Sequence, residues 1–208
     1  MKSSVNYKLY LIADKSIVKG SSFIELVEQA IIGGVTVVQL REKTASSLEF
    51  YQMALQLRLL TSRYGVPLII NDRLDIALAV DADGVHLGQE DLPLKICRKI
   101  IGDKKIVGVS ATTLKEALTA QDDGADYIGV GALFPTSTKD NAKNVTLKQI
   151  SLIKKALKIP IIGIGGINES NLEAAIATGI DGAAVASAIL TAESVIDAAK
   201  RLSWILKE

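Results

Sequence analysis

The chain has 208 residues, enough for one domain with a sizeable core. Nearly half of the residues are hydrophobic but only 4% are aromatic, so that core is built mainly of Ile, Leu, Val and Ala. A formal net charge of +1 without a basic block gives no electrostatic case for nucleic acid or an acidic membrane surface, and a single cysteine, Cys97, excludes an internal disulfide.

Taken in chain order, short β-branched runs alternate with amphipathic segments. Strands are predicted at Leu9 to Ala13, Val35 to Arg41, Leu68 to Asn71, Gly84 to Leu87, Ile106 to Ser110, Tyr127 to Val130, Ile161 to Ile164 and Ala183 to Ala186. Helical patterns fall between them at Phe23 to Ile32, Ser47 to Arg63, Asp75 to Val80, Leu94 to Ile101, Leu114 to Asp123, Leu147 to Leu157, Asn171 to Ala177 and Val195 to Leu206. The strands are apolar throughout, as parallel strands covered on both faces should be. Gly33-Gly34, Gly65, Gly124 and Gly179 precede strands and fit helix C-caps. Eight βα units over residues 1–208 predict a single-domain α/β (β/α)8 TIM barrel. The competing open doubly wound sheet would carry a Gly-rich turn after its first strand, where Ala13-Asp14-Lys15-Ser16 stands instead. The first residues lack the apolar segment of a signal peptide and no run approaches the ~18 residues of a membrane helix, so a cytoplasmic location is expected.

In such a barrel the chemistry belongs at the C-terminal strand ends. The second strand closes with Gln39-Leu40-Arg41-Glu42-Lys43. Alternation puts Gln39, Arg41 and Lys43 on one face, two cations and an amide suited to a phosphorylated ligand, with Glu42 on the other side placed to orient them. The third strand ends in Asn71-Asp72, and Asp91 follows the fourth. Each aspartate could cap the next helix, but on neighbouring strand ends the two could also face one divalent cation. His86 lies within the fourth strand and reads as a structural contact. Ser110 ends the fifth. The sixth leads into Phe134-Pro135-Thr136-Ser137-Thr138-Lys139, three hydroxyls and a cation in one loop. Gly165-Gly166 after the seventh strand and Ala186-Ser187 after the eighth match the usual place for a phosphate held by backbone N–H groups. Two anion sites are therefore expected: a diphosphate between Arg41, Lys43, Lys139 and a metal on Asp72 and Asp91, and a monophosphate at the Gly166 and Ser187 loops.

Together, Gln-Leu-Arg-Glu-Lys (39–43), Asn-Asp-Arg (71–73), Gly-Val-His-Leu-Gly-Gln-Glu-Asp-Leu (84–92), Gly-Val-Ser (108–110), Gly-Ala-Asp-Tyr-Ile-Gly-Val-Gly (124–131), Phe-Pro-Thr-Ser-Thr-Lys (134–139), Ile-Gly-Gly-Ile (164–167) and Ala-Ser-Ala-Ile (186–189) span most of the chain, and in this order it resembles the thiamine-phosphate synthase family. The resemblance implies condensation of hydroxymethylpyrimidine diphosphate with hydroxyethylthiazole phosphate to give thiamine phosphate and diphosphate, in a dissociative substitution assisted by one Mg2+ per subunit. It implies that Gln39, Leu40, Arg41, Glu42, Lys43, Asn71, Ser110 and Lys139 hold the pyrimidine diphosphate, with Arg41, Lys43, Ser110 and Lys139 acting in catalysis. Thr136, Ser137, Thr138, Gly166, Ala186 and Ser187 would hold the thiazole phosphate, and Asp72 and Asp91 the metal. The implied partners are small phosphorylated molecules, with neither nucleic acid nor membrane, and a homo-oligomer is left open. Many relatives carry a histidine shortly after the Gly-Val-Ser motif, where this chain has Ala111-Thr112-Thr113. That departure also weighs against a thiazole tautomerase, the sister family on the same barrel, which uses a histidine there. A non-catalytic thiamine-phosphate-binding protein is the remaining alternative, opposed by the complete set of residues at both anion sites.

Overall fold

The computed structural model describes residues 5–18, 22–136 and 144–207. Eight parallel strands close into a barrel in sequence order: β1 (Leu9–Asp14), β2 (Val37–Arg41), β3 (Leu68–Asn71), β4 (Gly84–Leu87), β5 (Ile106–Ala111), β6 (Tyr127–Val130), β7 (Ile161–Ile164) and β8 (Gly182–Val185). Closure is made by β1 against β8, with Leu9, Tyr10 and Leu11 opposite Ala183, Ala184 and Val185. The helices are α1 (Phe23–Ile32), α2 (Ser47–Tyr64), α3 (Leu74–Ala79), α4 (Leu94–Ile101), α5 (Leu114–Asp122), α6 (Leu147–Ala156), α7 (Leu172–Ile176), α8 (Ser187–Leu190) and α9 (Val195–Ile205).

Local sequence explains where these elements begin. Ser46 and Glu49, Thr113 and Glu116, and Thr146 and Gln149 form reciprocal capping boxes at α2, α5 and α6, each satisfying orphan N–H groups of a first turn. Strand pairing starts at Val37, not Val35, because the Val35 N–H returns to Ala30 O to close α1. The last strand stops at Val185 because Ala186 leaves extended geometry (ψ −85°) and accepts from Ile189 and Leu190 N–H, opening the short α8 that periodicity had not revealed.

The period-two alternation divides the strands between two cores. Outward residues such as Leu11, Val38, Leu40, Leu68, Ile70 and Val85 pack against the helices. Inward residues fill the lumen, among them Tyr10, Val37, Ile69, Ile106, Tyr127 and Ile162. Toward the C-terminal end this inner face turns polar, through Asp14, Gln39, Asn71, His86 and Ser110. The sequence expectation of uniformly apolar strands therefore fails on that face. Polar groups collect there because the lumen ends in a cavity.

Candidate active site

The lumen cavity holds about 80 Å³ and is lined by Tyr10, Gln39, Arg41, Asn71, His86, Ser110 and Tyr127, with Ile12, Ile162, Ile164 and Ala184 as its apolar wall. Two predicted residues meet there in an informative way. Asn71 is 8% exposed, yet its side-chain amide makes no hydrogen bond to the described protein. No buried side-chain polar atom among the described residues is left without a partner, so the Asn71 amide stays open to the cavity it lines, where a ligand can bond it. Ser110 Oγ lies 2.8 Å from His86 Nε2, and the Ser110 carbonyl accepts from Gln89 Nε2 at 2.7 Å.

Above this cavity, each described cation of the second strand end already holds a carboxylate. Arg41 Nη1 donates to Asp14 Oδ2 at 2.5 Å, and that carboxylate also accepts from the backbone and hydroxyl of Ser16. Lys43 Nζ donates to Asp72 Oδ2. Asp72 sits in the left-handed region (φ 61°), with its N–H given to His86 O, which turns the chain sharply off β3. Neither Asp72 nor Asp91 caps a helix. The N-caps of α3 and α4 are Arg73 and Pro93, and Asp91 instead accepts from Gly88 N–H at 2.6 Å. The Asp72 and Asp91 carboxyls adjoin each other at neighbouring strand ends. Burial, together with the adjoining Asp72 carboxyl, pushes the Asp91 pKa up. Two cations against Asp14, Asp72 and Asp91 leave the described mouth with no surplus of positive charge. An added divalent cation fits this donor set, since Mg2+ takes one or two carboxylates and completes its shell with ligand oxygens and water. No group of three or more metal-ligating side chains occurs among the described residues, so an all-protein metal cage is not what the mouth offers.

A second, larger cavity of about 330 Å³ opens beside the first, lined by Pro135, Thr136, Gly166, Ile167, Asn168, Ser187, Ala188 and Thr191. Gly166 has φ 65°, and a Cβ there would lie 2.4 Å from Pro135 O, so only glycine lets the β6 and β7 loops approach this closely. The Asn168 and Asn171 side chains both donate to Gly166 O, which holds the turn and leaves its outer edge facing the cavity. Thr136, Gly166 and Ser187 thus come together as predicted. Ser137, Thr138 and Lys139 lie outside the described residues.

Three predicted contacts are placed differently. Leu40 is fully buried in the sheet–helix core, because strand alternation turns it outward; it offers a ligand only its main chain. Glu42 does not pair with Arg41 or Lys43. Its carboxylate accepts from Thr44 N and Oγ1 and from Ala45 N, bracing the β2–α2 turn. Burial alone would raise its pKa, but these donors outweigh it and hold the group below its ordinary value. Ala186 is absent from the second cavity's lining and shapes the site by starting α8. Sequence reasoning missed Asp14, Tyr10 and Tyr127; His86, read there as a structural contact, bonds Tyr127 and Ser110. The parity argument used for Gln39 and Arg41, applied to β1, would have found Tyr10 and Asp14.

Comparison with known proteins adds independent findings. The family described as thiamine monophosphate synthase matches residues 9–189. The chain is 58% identical to the thiamine-phosphate synthase of Alkaliphilus oremlandii and 53% identical to that of Clostridium tetani, covering 98% and 96% of each chain respectively. Among solved structures, a thiamine phosphate pyrophosphorylase from Pyrococcus furiosus superposes with a TM-score of 0.90 at 41% identity, covering 98% of this chain and 96% of that one.

Proposed function

This chain belongs to the thiamine monophosphate synthase family, and from that premise we propose how the mouth of its barrel carries out the reaction. The activity is that of a thiamine-phosphate synthase, a transferase. The observation that carries the site assignment is the pairing of two cavities on one barrel mouth. The lumen cavity of ~80 Å³ lies beneath matched cations and a carboxylate pair, and the cavity of ~330 Å³ is walled by the Gly166 and Ser187 loops.

In this reading the pyrimidine ring enters the lumen between Gln39, Asn71 and Ser110. Its diphosphate rises toward Arg41 and Lys43, joined by Lys139 on the strength of the family resemblance. The thiazole phosphate occupies the second cavity, held at Thr136, Gly166 and Ser187 with Ser137 and Thr138. The C–O bond to diphosphate breaks with its electron pair leaving on oxygen. The thiazole nitrogen lone pair then forms the new C–N bond at the same methylene carbon. No proton moves in either event, so the site needs charge stabilisation and alignment, not a general base. Arg41, pre-aimed by Asp14, meets the developing negative charge, and Lys43 does so from beside Asp72. Asp72 and Asp91 would hold one Mg2+, which when bound supplies the remaining positive charge for the departing diphosphate. A cytoplasmic location belongs to the same proposal; no helix among the described residues is long and apolar enough to cross a membrane.

The test is direct. Purified protein given both substrates and Mg2+ should release equal amounts of thiamine phosphate and diphosphate, and product formation should stop when the metal is chelated. Absence of product with Mg2+ present would overturn the function, and full turnover in excess chelator would overturn the metal assignment.

A further inference from the structure

Five side chains form one hydrogen-bonded line across the barrel, from β2 through β1, β6 and β4 to β5. Gln39 Nε2 donates to Tyr10 Oη at 2.9 Å, and Tyr10 Oη lies 2.7 Å from Tyr127 Oη. Tyr127 Oη lies 2.9 Å from His86 Nδ1, and His86 Nε2 lies 2.8 Å from Ser110 Oγ. The line is buried: Tyr10 and Tyr127 are each 1% exposed. Room for it is made by a missing side chain. A Cβ on Gly108 of β5 would lie 2.0 Å from Tyr127 Cζ and 2.4 Å from its hydroxyl, so the ring seats only against glycine.

Proton counting gives the line a direction. The Gln39 amide nitrogen only donates, so Tyr10 accepts there, and the buried Tyr10 proton finds its acceptor in Tyr127, the remaining partner of that hydroxyl. Tyr127 accepts it and gives its proton to His86 Nδ1. Burial raises the pKa of both phenols, so each keeps a proton to pass on. His86 Nδ1 is then the accepting nitrogen, and its Nε2–H donates to Ser110. Two groups remain at the ends of the line, the Gln39 carbonyl oxygen and the Ser110 hydroxyl proton. Both residues line the lumen cavity, and neither group has a partner among the described residues.

We infer that Tyr10, Tyr127 and His86 are positioning residues that set the polarity of the ring-binding cavity, so that β2 presents an acceptor through Gln39 and β5 a donor through Ser110. The inference rests on the reading above that this cavity takes the pyrimidine. An aminopyrimidine matches the polarity, its amino group giving to Gln39 and a ring nitrogen accepting from Ser110. An oxo-pyrimidine of the same outline would set its carbonyl against that of Gln39. Positioning thus becomes selection between rings of one shape.

The chain's single histidine makes the test specific. Protein labelled with 15N only at histidine should show, near neutral pH, one protonated nitrogen, Nε2, and one bare nitrogen, Nδ1. An Nδ1–H tautomer or an imidazolium there would overturn the inference. In Tyr127→Phe the Nδ1 resonance should move as it loses its donor. The KM for the pyrimidine diphosphate should rise about tenfold, the worth of one such bond, while the KM for the thiazole phosphate stays unchanged. An unmoved resonance, or equal rises in both KM values, would overturn it. If that variant does not fold, the wild-type spectrum still decides. Wild-type turnover together with the wrong tautomer refutes only the polarity argument, whereas a correct tautomer without product refutes only the function.

Discussion

Replacing Asp14 by Asn tests the claim that Arg41 is pre-aimed. Asp14 is 3% exposed, and its carboxylate accepts three bonds: Ser16 N at 2.9 Å, Ser16 Oγ at 2.6 Å and Arg41 Nη1 at 2.5 Å. In Asp14→Asn the amide oxygen still serves Ser16, but the other position becomes an NH2 facing a guanidinium. The charge-assisted bond, worth about 1.5–3 kcal/mol, is lost. Breaking a buried ion pair costs ~3–5 kcal/mol, but the Arg41 side chain keeps 20% of its exposure and can rehydrate in part. A loss of about 2–3 kcal/mol is therefore expected. For a chain of this length that lowers Tm by about 2–4 °C per kcal/mol. Urea unfolding followed by far-UV circular dichroism suits the measurement, because Trp204 is 67% exposed and a poor reporter of the core. Saturating inorganic diphosphate with Mg2+ should narrow the gap, since an anion takes over the neutralising role of Asp14. An unfolding free energy within about 0.5 kcal/mol of wild type would refute the reasoning.

Three further outcomes follow from the geometry. Asn71→Ala should cost less than about 1 kcal/mol in unfolding, since no protein hydrogen bond is lost, yet raise the KM for pyrimidine diphosphate about tenfold; a large stability loss with normal KM would mean the amide is structural. Asp91→Asn should abolish stabilisation by Mg2+ with diphosphate, worth ~2.7 kcal/mol at one hundred times Kd in wild type, as read by thermal unfolding. The raised Asp91 pKa fixes the sign without metal: stability from this group is present when it is protonated in acid and lost as pH rises through its folded value, so at neutral pH the Asn variant should be no less stable than wild type. Retention of the Mg2+ shift would refute the metal assignment. Gly166→Ala, which meets both a positive φ and a contact of 2.4 Å to Pro135 O, should cost about 1–3 kcal/mol and raise the KM for thiazole phosphate more than that for the pyrimidine. Steady-state kinetics with each substrate varied in turn would show the reverse if the two cavities were misassigned.

Much of this was legible in the sequence because parallel strands buried on both faces have a strong signature. β3, β4, β6 and β7 begin and end where the apolar runs predicted, as do α1 and α4. The short α8 escaped because one turn of Ser-Ala-Ile-Leu has no period to detect. At the site, Asn71, Ser110 and the adjoining Asp72 and Asp91 came from their place at strand ends. The partners of the cations did not. Asp14 pairs with Arg41 across 27 residues of sequence, and Lys43 with Asp72 across 29, through strand register that local pattern does not contain. The motif Gln39 to Lys43 looked like an open cationic cluster for the same reason. Its charges were visible, but not the carboxylates that hold them. Leu40 and Glu42 entered the site through the family resemblance, which takes the motif as one contiguous run, although alternation sends every second residue to the other face.

The ring of Tyr127 resting where Gly108 has no side chain also bears on how this sequence can drift. The two positions lie on adjacent strands and form one steric unit. Any other residue at 108 expels the phenol, so the pair can change only together, and a single step at Gly108 is closed while Tyr127 stands. In the opposite order, shrinking Tyr127 first leaves a void in the floor of the lumen about the size of an aromatic ring. A barrel on that path would lose its hydrogen-bonded line before it gained anything. It would also acquire space for a bulkier substituent on the ring bound above it, which makes this pair the natural starting point for redesigning which ring the enzyme accepts.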